Sequence, residues 1–98
     1  MSLYVVTYVH PDEKRWAELL EPHLHWIQRR LDDGSLVASG PLEDVSQLSA
    51  IILFKARDRA HVDELVADDP FVSEGLVTEL TVQRWSPGFG ELSQYAGG

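Results

Sequence analysis

Two histidines two positions apart, His23 and His25, are the first residues that invite a chemical reading, because their surroundings differ. His23 falls three residues after Leu20 and four before Ile27, on the apolar stripe of a helix, while His25 lies four from both Glu21 and Arg29, on the charged side. An inward imidazole must find hydrogen-bond partners or stay neutral, and its charge changes most readily near neutral pH. That suits a general acid or base; the competing reading is a satisfied histidine at a helix–sheet junction. Asp69 shows the same oddity. Counted from Val62 and Val66 it falls on the apolar side of a second helix at its end, directly before Pro70. Alone, it reads as the cap of a turn or short helix starting at Pro70. Taken with His23, it is a carboxylate able to orient an imidazole, so the two form a candidate catalytic pair.

Other candidates are weaker. Arg15, eight residues before His23 on roughly the same helix face, is a candidate for holding an anionic substrate, against the reading of a solvated helix arginine. Gly40 and Pro41 read first as residues that shape a hairpin and second as lining for a pocket near His23. His10 and His61 have no neighbour at metal-ligand spacing and no His-x-x-x-His pair occurs, so no metal site is expected. Trp16, Trp26 and Trp85 read as core or interface residues. A Gly-rich phosphate loop, a Ser nucleophile elbow and a dinucleotide fingerprint are all missing, so no cofactor is expected.

The elements that must position these residues follow from periodicity. Leu3 to Val9 is a β-branched and aromatic run that suits a strand. From Glu13 to Asp33, Trp16, Leu20, Leu24, Ile27 and Leu31 recur at helical spacing before a stop at Gly34. Pro22 inside this run predicts a kink or a helix that begins near Glu21. Leu36 to Ala38 is a short second strand, 41–46 a hairpin connection, and Ser49 to Lys55 a third strand. Asp58 caps a second helix that stops at Pro70, and Leu76 to Trp85 forms a fourth strand. The order β-α-β-β-α-β predicts an α+β, ferredoxin-like split βαβ: a four-stranded antiparallel sheet with two helices on one face. Both sides of the first and third strands are apolar, yet two helices cover only one face. A homodimer packed sheet against sheet is therefore expected.

Composition bounds the function. With 98 residues, one domain is expected over 1–98, its core at 3–85 and a tail at 86–98. Sixteen acidic against eight basic residues give a net charge of -8, which argues against nucleic acid and anionic membranes as partners. The chain has no cysteine, which removes thiolate catalysis and disulfides. No membrane span or leader pattern is visible, and a cytoplasmic protein is the expectation.

The ordered set Tyr4-Val5-Val6, Pro22-His23-Leu24, Asp33-Gly34-Ser35-Leu36, Ser39-Gly40-Pro41-Leu42, Asp68-Asp69-Pro70-Phe71-Val72 and Gly75-Leu76-Val77 resembles the YciI-like (YCII-related) proteins over residues 3 to 85. The resemblance implies a dimeric α/β barrel, with the His of the His-Leu pair and the Asp of the Asp-Pro-Phe motif as catalytic pair, here His23 and Asp69. It also implies lyase- or isomerase-like chemistry on a small, cyclic or aromatic molecule. The chain departs from the family after Gly40-Pro41, where its connection is short, so contacts made by a longer loop are not expected here. Two functions stand side by side: a cofactor-independent enzyme in which His23 moves a proton and Asp69 fixes its tautomer, or a non-catalytic dimer that binds a small ligand or stabilises a partner, with a structural His/Asp pair.

Overall fold

Alternation along the first strand decides the layering. Tyr4, Val6 and Tyr8 point to one side and are buried, as is His10 just beyond, while Val5, Thr7 and Val9 point to the other and remain half-buried. The computed structural model describes residues 1–97. Its elements are β1 (Ser2–Val9), α1 (Glu13–Asp32), β2 (Leu36–Pro41), β3 (Ser49–Ala56), α2 (Arg59–Ala67), α3 (Pro70–Ser73) and β4 (Glu79–Trp85), followed by a single 3-10 turn at Ser93–Tyr95. All four strands pair antiparallel in the order β2-β3-β1-β4, the ferredoxin-like arrangement.

The helices lie over the face that carries Tyr4, Val6 and Tyr8. Their common core includes Trp26 from α1, Phe54 and Ile52 from β3, Val62, Leu65 and Val66 from α2, and Phe71 from α3. Trp26 meets Phe54 edge-on at 5.8 Å and donates its indole N–H to the Leu65 carbonyl at 3.1 Å, which ties α1 to α2. The opposite face bears Val5, Thr7, Ile51 and Leu53, all half-buried, with no helix over it.

Four local expectations are corrected. The first helix does not wait for Glu21 to begin: α1 starts at Glu13 and runs for 20 residues with Pro22 inside it. Pro22 lies on the exposed side, so the carbonyl left without its N–H partner faces water. The second strand continues through Gly40 to Pro41, so the connection to β3 starts later than expected; β2 is an edge strand, where a proline's missing N–H costs the ladder nothing. Of the turn or short helix expected at Pro70, the chain forms the helix, α3, while β4 begins at Glu79 rather than at Leu76. Leu24 and Leu31, read as core-facing, are about half exposed, and the buried stripe of α1 passes through His23 and Trp26 instead.

Candidate functional site

The local chemistry of Asp69-Pro70-Phe71 builds the centre of the site. Asp69 is the N-cap of α3, its Oδ1 accepting the Phe71 backbone N–H at 3.0 Å, and Pro70 takes the first helical position, where no N–H is needed. A solvated cap would stop there. This one is fully buried beneath α1, and two further donors converge on it. His23 Nδ1 lies 2.8 Å from Asp69 Oδ1, and the Tyr8 hydroxyl donates to Oδ2 at 2.8 Å. The carboxyl group is thus the hub of a three-element junction: β1 brings Tyr8, α1 brings His23, and α3 brings its own first turn.

Two effects fix the His23 ring. Its Nδ1 points at an oxygen of Asp69, which as a carboxylate only accepts, so the neutral ring carries its proton on Nδ1 and its lone pair on Nε2. The Phe71 ring stacks on the imidazole with centroids 3.8 Å apart and planes within 3°. The residue following the capping proline is therefore also the clamp on the imidazole. Tyr8 is held as a donor: burial above all, then the charge of Asp69 and the hydrogen bond to it, push the phenol far above its usual range.

His23 opens onto a cavity of about 270 Å³ between α1 and the β2–β3 side of the sheet. Trp16, Leu20, Leu24 and Ile27 of α1 form one wall, Ser39, Gly40 and Pro41 of β2 with Ile52 of β3 another, and Phe71 and His10 meet them at the His23 end. No Lys or Arg is among these lining residues. An empty volume of roughly 150 Å³ already admits benzene, so this cavity has room for one substituted ring.

Gly40 and Pro41 thus border the same cavity as His23, as strand residues rather than as a hairpin turn. Arg15 is placed elsewhere. Its guanidinium donates to the Glu74 carbonyl at 3.1 Å, fastening α1 to the end of α3, and it does not line the cavity. His25 is exposed, and His61 accepts the Arg57 backbone N–H at 3.2 Å, away from the pocket. Among the described residues no group of three or more His, Asp or Glu side chains comes together as a metal site, and no helix is long and apolar enough to cross a membrane. Sequence reasoning missed Tyr8 and His10. The alternation of β1 carried the signal, since Tyr4, Val6, Tyr8 and His10 share one face, but which carboxyl group Tyr8 reaches depends on where α3 docks.

Comparison with known proteins places this architecture. The chain belongs to the YCII-related domain family, whose profile matches residues 1–86. No curated protein matches it in sequence. Among solved structures it is similar to a 5-chloro-2-hydroxyhydroquinone dehydrochlorinase from Burkholderia phenoliruptrix, in complex with 2,5-dihydroxybenzoquinone, with a TM-score of 0.74 and 17% identity, covering 86% of this chain and 93% of that one. A protein of Thermotoga maritima (TM-score 0.56, 13% identity, 87% and 98% covered) and one of Mycobacterium tuberculosis (TM-score 0.55, 17% identity, 95% and 100% covered) share the fold. At these identities the likeness is one of fold.

Proposed function

From that membership and the geometry of the pocket, we propose that the chain is a cofactor-independent enzyme of lyase or isomerase type acting on a small, single-ring molecule. The observation that carries this reading is His23, which lines the cavity and whose Nδ1 is committed to a buried Asp69 while its Nε2 hydrogen-bonds to no described protein atom. In an elimination, Nε2 takes a proton from the ring substrate as the leaving group departs with its bonding pair. Asp69 then stabilises the imidazolium that forms. In an isomerisation the same nitrogen returns the proton to a different atom. Gly40 and Pro41 bound the far side of the ring. Arg15 acts as a tie between α1 and α3 rather than as a substrate contact.

The dehydrochlorinase with the same fold supports a test substrate. Chloride release from 5-chloro-2-hydroxyhydroquinone is expected from the wild type, and His23→Ala should slow it by roughly 10²–10⁴-fold, the usual worth of a positioned acid or base. Equal rates in the two proteins would end the proposal. The burial of Asp69 also favours a second reading, a ligand-binding protein in which the pair is structural; a wild type that binds such rings without turning them over would select it.

The open sheet face belongs to the same proposal. Val5, Ile51 and Leu53 present an apolar surface that no helix of the chain covers, and a second copy packed sheet against sheet buries it on both sides at once.

A further inference from the structure

His10 is buried at the C-terminal end of β1, 4% exposed, yet neither of its ring nitrogens has a hydrogen-bond partner among the described residues. One other described residue shares that condition, Arg30, and its Nε still sits 3.0 Å from the Asp33 carboxylate. A neutral imidazole always carries one N–H donor and one bare acceptor, so a buried ring with neither matched is a standing cost that the rest of this core avoids. The nearby Tyr8, His23, Trp26 and Asp69 side chains all have partners.

We propose that His10 is a second ligand-binding group of the pocket, pairing with an uncharged hydroxyl or carbonyl oxygen on the ring whose other end meets His23. The position fits: His10 lines the cavity, and its ring stands 5.4 Å from Phe71, the residue stacked on His23, so the two imidazoles flank one phenyl group. Backbone bonds hold the strand end in place, the His10 N–H donating to the Leu48 carbonyl at 2.8 Å and the Thr78 N–H to the Val9 carbonyl at 2.8 Å. The terminal torsion of a histidine is broad, so the ring turns about Cβ–Cγ at little cost to bring a nitrogen to the cavity. Burial, with His23 nearby, pulls the imidazole below its ordinary range, against the opposite pull of its own backbone and of Asp69. His10 therefore offers a dipole rather than a charge. With no Lys or Arg in the lining and a net charge of -8, nothing compensates an anionic ligand, and the class that fits is the neutral phenol, quinol or enol.

This inference rests on the pocket being a ligand site, and one experiment separates the two. The ring signals of both histidines are followed by NMR as hydroquinone is added, with p-xylene as a ring of similar shape that lacks oxygens. Movement of both His10 and His23 with hydroquinone is the expected result. In His10→Phe, hydroquinone should bind about tenfold more weakly, the worth of one hydrogen bond, while p-xylene binding does not weaken. His10→Gln, which keeps a donor and an acceptor, should restore most of the loss, and the melting temperature of His10→Phe should not fall. If hydroquinone moves His23 alone, the role of His10 is overturned and the pocket reading survives; if it moves neither, both fall. A large drop in the melting temperature of His10→Phe overturns the inference as well, because the nitrogens would then be serving the fold.

Discussion

Along β1 the side chains Tyr4, Val6, Tyr8 and His10 turn toward the helices and are closed from solvent, whereas Val5, Thr7 and Val9, one residue out of phase, remain half-buried on a face without helices. The covered face accommodates polar groups by joining them: a single carboxyl group, Asp69, takes donors from a strand, a helix side chain and a helix N-terminus. The open face sets its apolar residues Val5, Ile51 and Leu53 beside polar ones, Thr7 and Thr81 bonding to one another across the strands with Glu79 and Gln83 next to Thr81 on β4. The contrast separates two kinds of dependence. One side is fixed by direction-dependent bonds within the chain, the other by apolar area that favours any complementary surface.

Breaking the hub should have the largest effect. Asp69→Ala leaves the Tyr8 hydroxyl, His23 Nδ1 and the Phe71 N–H without their acceptor in a buried place, and the expected loss is about 3 kcal/mol or more, read as a lower urea midpoint. A loss below about 1 kcal/mol would mean that the three bonds are replaceable and that the covered face is held by packing alone. On the other side, Leu53→Asp should convert a dimer to a monomer in sedimentation at micromolar concentration while leaving the His23–Asp69 contact intact. A wild type already monomeric under those conditions removes the proposed partner and leaves the apolar face to be explained otherwise.

The smallest effect concerns pH. Because the folded value of His10 lies below its ordinary value near 6.5, the folded chain holds fewer protons on this ring than the unfolded chain does. Stability is then full above about pH 6.5 and declines as the pH falls toward the folded value, by at most about 1.4 kcal/mol per pH unit. His23 and Asp69 lie near the same ring, so the contribution of His10 is read as the difference between wild type and His10→Phe across pH 5–7, the variant showing the flatter curve. Identical curves would show that the ring is not held neutral.

The same contrast explains what the sequence made legible. Both faces of β1 and β3 could be read, because strand alternation assigns each side chain to a face without knowledge of its neighbours. Strand order followed from the succession of elements, and His23 and Asp69 stood out as ionisable residues in apolar phase. Three things were out of reach. Pro41 looked like a turn because its tolerance in β2 depends on that strand being an edge, a property of the sheet rather than of the residue. The choice between a turn and a short helix at Pro70 was the second, because α3 spans four residues, too few for any period to register, and its Asp-Pro start suits either. Tyr8 and His10 are ordinary strand residues until α1 and α3 are docked above them. Arg15 shows the converse: helical phase put it on the side of His23, but its side chain reaches Glu74 instead of the cavity.

Asp69 holds together a helix of four residues and an imidazole with the same oxygen, Oδ1. A helix that short has almost no cooperativity of its own, so it opens when its cap is lost, and the cap is lost when it opens. Any fluctuation that unwinds Pro70–Ser73 must therefore release His23 and withdraw the Phe71 ring in the same event. The amide of Phe71 is thereby a reporter built into the chain: its hydrogen-exchange rate measures how often the imidazole loses its orientation, without any substrate being known.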